Sequence, residues 1–111
     1  MFPKKYRLAK TKDVKATFAQ GRTFFNPFLT IKFRPAQHYR FTVVVSTKVA
    51  KKAVVRNRLK RIIREDLKQH MTAVRPGDYA IILKNRAAMV EEKDVKMALR
   101  ETLGKNKLTH V

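Results

Sequence analysis

The sequence predicts an α+β fold, one small domain in which helices cover a sheet. Three observations lead there. Residues 28–33 and 40–46 alternate apolar and polar side chains with the period of two that marks a strand. Residues 79–83 are apolar almost without interruption, the pattern of a strand buried on both faces. Three other stretches space their apolar residues three and four apart, as helices do. The order is helix, two or three strands, helix, strand, helix, an α+β or split β-α-β arrangement.

Each element has a local reason. Residues 1–10 read as an irregular basic arm. Thr11 stands where a helix cap belongs, and Asp13 puts negative charge in the first turn, where the helix dipole favours it. Val14, Thr17 and Phe18 fall at helical spacing, and Gly21 is placed to end the helix. In the first strand Leu29, Ile31 and Phe33 share one face, with Thr30 and Lys32 on the other. Arg34-Pro35-Ala36-Gln37-His38 interrupts the pattern. Phe41, Val43 and Val45 then share a side of the next strand. The link is short, so these two strands are expected to pair as an antiparallel hairpin. Residues 48–70 read as a loop running into a long helix. Residues 75–78 form a turn, and residues 85–89 a loop. Residues 91–103 read as a third helix, acidic at its start. It carries a stripe of Val95, Ala98, Leu99, Thr102 and Leu103, with Gly104 as its stop. Residues 105–111 are expected to fray.

A chain of 111 residues with 44% hydrophobic content has enough for one modest core. Its 27 Lys and Arg outnumber 8 Asp and Glu, a formal net charge of +19. That surplus does not set a fold, but it attracts polyanions. No cysteine is present, which excludes disulfides and thiolate zinc sites. No apolar run approaches the roughly 20 residues needed to span a bilayer. The basic N-terminus lacks an apolar stretch behind it, so it is not read as a secretory signal, and a cytoplasmic location is expected. Anionic lipid is the weaker partner, because the large apolar residues are distributed as a core requires rather than along an exposed helix face.

The charge is clustered. Residues 14–64 contain no acid and 13 bases: Lys15, Arg22, Lys32, Arg34, Arg40, Lys48, Lys51, Lys52, Arg56, Arg58, Lys60, Arg61 and Arg64. Winding the second helix at about 100° per residue gathers Val55, Leu59, Ile62, Ile63 and Leu67 on one face. Asn57, Lys60, Arg61, Arg64 and Lys68 gather about 150° away. Arg56 and Arg58 flank that row. Successive turns are about 5.4 Å apart, close to the spacing of phosphates along a strand. A rigid cationic rail can therefore neutralise several phosphates together, with arginine adding bidentate contacts. A solvated basic face with no partner is the plainer reading. It leaves the helix repelling itself, since no acid appears before Glu65.

The catalytic inventory is thin. Ser46 is the only serine, and His38, His70 and His110 are far apart in sequence. No HExxH, P-loop or GxGxxG motif occurs. Glu65-Asp66 and Glu91-Glu92 are adjacent residues and point apart on a helix. A divalent ion near Asp78 or Glu65 would need more converging oxygens than the sequence offers. No catalytic residue, metal ligand or protein-bound cofactor is expected.

Arg56-Asn57-Arg58, then Leu59-Lys60-Arg61 and Arg64-Glu65, closely resembles the RNR helix of the bacterial ribonuclease P protein family. Arg7-Leu8, Asp13, Phe18 and Gly21 resemble that family's first helix, and residues 41–46 its strand before the loop. Gly77-Asp78-Tyr79 and Arg86-Ala87-Ala88 resemble its later segment. The likeness covers nearly the whole chain in the same order. It implies a small α-β sandwich of about four strands and three helices, with a left-handed β-α-β crossover. It further implies a non-catalytic subunit of the endonuclease that trims precursor tRNA, with magnesium at the catalytic RNA; a monomer bound one to one to that RNA is expected, since no long exposed apolar stripe suggests otherwise. By this likeness Lys48, Lys51, Lys52, Arg56, Asn57, Arg58, Lys60, Arg61, Arg64 and Lys68 contact the catalytic RNA. A cleft between the first helix and the sheet holds the single-stranded 5′ leader, with Phe18 and then Phe28 as candidate base platforms. Two positions depart from the pattern: Val14 stands where the family commonly has Phe, and Val49 where it usually has a second lysine. A ribosomal protein, an RNA chaperone and a DNA-binding regulator are the rival readings. The regulator requires a base-reading helix, which this charge-rich row does not resemble.

Overall fold

The computed structural model describes residues 3–106 and Leu108, the Thr72 side chain excepted. His110 and the other residues of the 109–111 segment lie outside them, as do residues 1, 2 and 107. In chain order the elements are α1 (Thr11–Gln20), β1 (Arg22–Phe25), β2 (Leu29–Pro35), β3 (Tyr39–Val44), α2 (Ala53–His70), β4 (Gly77–Leu83) and α3 (Glu92–Lys105). Short 3-10 turns occupy Lys4–Tyr6, Met71–Ala73 and Asn85–Met89. The α+β class and the helix and strand counts agree with the expectation.

The strand pairing does not. The sheet order is β1-β2-β4-β3, antiparallel except that β3 and β4 run parallel, joined through α2 as a β-α-β unit. The expected hairpin between β2 and β3 is absent, because β4 lies between them. β4 is the strand with apolar residues on both faces, so burial favours a central position for it. The link residues 36–38 need only hop two strand spacings, about 10 Å, and the four Cα–Cα steps from Pro35 to Tyr39 reach about 13 Å when extended. Pro35 and Tyr39 both stand in register with Gly77. A Cβ on Gly77 would lie 2.5 Å from the Phe33 ring and 2.6 Å from the Arg34 carbonyl oxygen. The crossing point therefore requires glycine. The true hairpin joins β1 and β2. The Asn26 side-chain oxygen accepts the Phe28 N–H at 2.9 Å, and the Asn26 N–H donates to the Leu29 carbonyl at 2.9 Å.

One sheet face holds the core. Leu29, Ile31, Phe33, Phe41, Val43, Tyr79, Ile81 and Leu83 pack with Leu59, Ile62, Ile63 and Leu67 of α2 and Val95, Ala98, Leu99 and Leu103 of α3. The Tyr79 ring sits 4.8 Å from Phe33 and 5.1 Å from Phe41 between centroids, and its hydroxyl donates to the Arg75 carbonyl at 2.6 Å. The other face carries α1, which covers only part of it. Thr17 of α1 is fully buried there. Three cross-strand rows follow from the register: Arg34-Asp78-Arg40, Thr23-Lys32-Ala80-Thr42 and Phe25-Thr30-Ile82-Val44. The first row lies beneath α1, and the last stays partly or largely open.

The expected fraying falls largely on residues 107 and 109–111, outside the described ones, but two residues near the ends, Leu8 and Leu108, are buried. The Leu8 N–H donates to the Phe41 carbonyl at 2.9 Å, Arg7 bridges to Phe41 in parallel, and Leu8 is buried. The arm thus covers the outer edge of β3. Leu108 is buried too, its N–H donating to Leu103 and its carbonyl accepting from Arg75. Helix ends also differ in detail. α1 starts after Lys10 with no side-chain cap, so Thr11 is its first residue and not its cap. Gly21 ends α1 in extended backbone (φ −72°). A Cβ there would run into the Thr17 carbonyl and stand 3.0 Å from that of Phe33. Close approach, not left-handed backbone, explains this glycine. α3 passes through Gly104 to Lys105, where the Asn106 amide donates to the Thr102 carbonyl at 2.8 Å.

Candidate nucleic-acid interface

α2 is positioned by its apolar side. Leu59, Ile62, Ile63 and Leu67 are buried, and Val55 packs partly against the core. Burying each such side chain stabilises by about 1.5–3 kcal/mol, which fixes the rotation of the helix and aims its other side outward. Asn57, Arg58, Arg61, Arg64 and Lys68 are exposed, and Lys60 is half-buried. Lys48, Lys51 and Lys52 are exposed in the preceding loop and at the helix start. No acidic residue stands in the first turn of α2 and no side chain caps it. The positive end of the helix dipole therefore adds to the cations around it. Among the described residues, none of these lysines and arginines is ion-paired to a carboxylate. Arg56 differs from the row: its Nη1 donates to the Ala50 and Lys51 carbonyls at 2.9 and 2.6 Å. It braces the lysine loop against the helix.

Asp66 faces inward from the same helix. Arg100 of α3 donates to its Oδ1 at 2.7 Å and touches His70 Nε2 at 3.0 Å. That hydrogen bond raises the Arg100 pKa. Sequence reasoning treated Asp66 only as half of an acidic pair; its place on the buried stripe beside Ile62, Ile63 and Leu67 was the available signal.

A second surface lies where the arm, α1 and β3 meet. An open groove of about 400 Å³ is lined by Arg7, Leu8, Ala9, Val14, Phe41, Thr42 and Arg64. Arg64 thus belongs both to the cationic row of α2 and to the groove wall. Val14 lines the groove at the position where an aromatic was the expectation from resemblance. Phe18, further along α1, is half-buried. Lys32 holds its ammonium 5.7 Å from the Phe18 ring centroid and donates to the Phe18 carbonyl at 3.4 Å and to Thr23 Oγ1 at 3.2 Å. Phe28 lies in the β1–β2 turn and packs against the core. Sequence alone assigns Arg7 and Lys32 no site role, because the arm and an alternating strand carry no mark of which ends meet in space.

α1 is held over the sheet by a charged joint. Arg40 donates to both Asp78 oxygens at 2.9 and 3.0 Å and to Asp13 Oδ2 at 2.9 Å. His38 Nε2 lies 2.7 Å from Asp78 Oδ1. The hydrogen bond to Asp78 raises the Arg40 pKa. Burial pushes the Asp78 carboxyl up, but the bonds from Arg40 and His38 outweigh it and hold it below the usual carboxylate range.

Comparison with known proteins agrees with this arrangement. A family model described as Ribonuclease P matches residues 2–107. The ribonuclease P protein component of an Exiguobacterium species is 35% identical over 107 residues, 95% of this chain and 93% of that protein. That of Listeria innocua is 36% identical over 104 residues, 90% of this chain and 87% of that protein. The solved RNase P protein of Staphylococcus aureus superposes with a TM-score of 0.87 at 26% identity, covering 95% of this chain and 98% of that one. The RNase P protein of Thermotoga maritima gives 0.77 at 25% identity, over 95% and 96%. Among the described residues no helix is long and apolar enough to cross a membrane. A cationic row on α2 that lacks carboxylate partners among the described residues, a fold shared with solved members and a match along nearly the whole sequence place this chain in the ribonuclease P protein family.

Proposed function

We propose that this chain is the protein subunit of ribonuclease P, the ribonucleoprotein that removes the 5′ leader from precursor tRNA, acting in the cytoplasm as a monomer on one catalytic RNA. The protein is the non-catalytic partner in that endonuclease. The observation that carries its role is the outer side of α2, where Arg61, Arg64 and Lys68 are exposed, Lys60 is half-buried, and none has a carboxylate partner among the described residues. That face, with Asn57, Arg58 and the loop lysines Lys48, Lys51 and Lys52, binds the catalytic RNA by neutralising phosphates. Arg56 holds the loop in place for the same contact.

The groove beside α1 receives the single-stranded leader. Phe18 supplies a base platform with the Lys32 ammonium beside it, and Arg7 and Arg64 offer cations at the groove wall. Phe28, half-buried and packed against the core, is the weaker platform. Because Arg64 belongs to both surfaces, the protein brings catalytic RNA and leader to one edge. It lowers the repulsion between two polyanions and orients the substrate, which is where a non-catalytic subunit gains rate. Magnesium chemistry belongs to the RNA: the buried carboxylates Asp78 and Asp66 already accept hydrogen bonds from Arg40 and Arg100.

The test is reconstitution with bacterial ribonuclease P RNA and precursor tRNA at low magnesium. The protein is expected to raise both substrate affinity and cleavage. No gain in either would put the ribosomal or chaperone reading ahead.

A further inference from the structure

Phe25 has no structural task that explains it. It is 74% exposed at the end of edge strand β1 and takes no part in the core. A single exposed apolar side chain is ordinary, but this one is not isolated. Lys84, just beyond β4, holds its ammonium 5.5 Å from the Phe25 ring centroid. Phe18 and Lys32 form the same kind of pair on the same sheet face. The two pairs are neighbours: Lys32 bonds Thr23, and Thr23 precedes Phe25 by two residues, about 7 Å along the strand.

We propose that Phe25 and Lys84 form a second nucleotide position for single-stranded RNA, beside the one at Phe18 and Lys32. The proposal rests on the leader reading above and extends it across the sheet. Each pair offers a π face to a base and a cation to the adjoining phosphate. Between Phe25 and the far edge, Thr30, Ile82 and Val44 continue the row through all four strands, partly exposed and without an acid. Asp78 is the only acid in the four strands, and it is bound to Arg40 and His38. The hollow on the α3 side of β1 carries Glu101 as well as Lys105, so the side with Lys32 and Lys84 is the more cationic path for the strand. An apolar peptide is the poorer occupant, because it would bury Lys32 and Lys84 without a counter-charge.

The experiment uses the assembled holoenzyme and precursor tRNAs that differ only in leader length. The wild-type complex is expected to bind the long-leader substrate more tightly than the short. Phe25→Ala should remove about tenfold of that gain, Phe25→Trp should restore it, and Lys84→Gln should remove about threefold by losing one screened phosphate contact. If Phe25→Ala keeps the full leader gain, or if tryptophan fails to restore a loss, the second position is rejected while the Phe18 and Lys32 position stands. If the wild-type complex shows no gain from a longer leader, the leader reading itself fails and this position with it.

Discussion

Arg40, beneath α1, and Arg64, on the outer side of α2, are the same residue type in opposite electrostatic settings. Arg40 gives hydrogen bonds to Asp78 and Asp13 and ties a helix to the sheet. Arg64 is exposed and has no carboxylate partner among the described residues. With only 8 acids against 27 bases, where the acids go is informative. Asp13, Asp66 and Asp78 stand at joints between elements, and Asp94 closes the first turn of α3 by accepting the Glu91 N–H. On the outer side of α2 only Glu65 interrupts the cations. The chain pairs charge where it needs shape and leaves charge unpaired on the face proposed to meet RNA.

The largest expected effect comes from reversing the unpaired side. Arg61→Glu combined with Arg64→Glu should weaken binding to the catalytic RNA on the order of 100-fold at low salt. The same variant should melt no lower than the wild type, because reversal relieves self-repulsion on the helix. A filter-binding titration beside a thermal melt reads both. A lower melting temperature with unchanged RNA affinity would erase the distinction between the two arginines.

The paired side should behave in the opposite sense. Asp78→Asn leaves Arg40 without its buried counter-ion and should cost about 3 kcal/mol of stability, measured by urea unfolding, while the folded variant keeps its RNA affinity. The pH dependence follows from the depressed Asp78 pKa. Its ionised form is favoured by folding, so the contribution is complete above the ordinary carboxylate value of about 3.9 and is lost as pH falls through the lower native value. Unfolding curves between about pH 2 and 5 should show this acid limb in the wild type and a shallower one in Asp78→Asn. Parallel curves would remove Asp78 from the account.

The cationic side of α2 was legible in the sequence because one helix contains both the apolar stripe and the charged row. Rotation follows from Leu59, Ile62, Ile63 and Leu67 alone. Strand order was less legible. Alternation in β2 and β3 reveals their faces, and the short link reveals that they run in opposite directions, but neither says that β4 enters between them. Gly77, the residue that lets the link pass, reads in sequence as part of an ordinary turn. β1 escaped notice because four residues are too few to show alternation beside Gly21. The groove was legible only through resemblance, since Arg7, Val14 and Arg64 come from three separated segments. The contacts of Leu108 leave no mark in the sequence, because its partners, Leu103 and Arg75, are fixed by packing and not by local pattern.

The central claim is that α2 faces RNA phosphates with cations that no carboxylate among the described residues neutralises. The direct measurement is the salt dependence of binding to the catalytic RNA, for the wild type and for a variant with Lys60, Arg61 and Arg64 each changed to Gln. If these three contact phosphates, the slope of log affinity against log salt should become shallower by about 2–3, near 0.7–0.9 per contact. Identical slopes for the two proteins would contradict the claim.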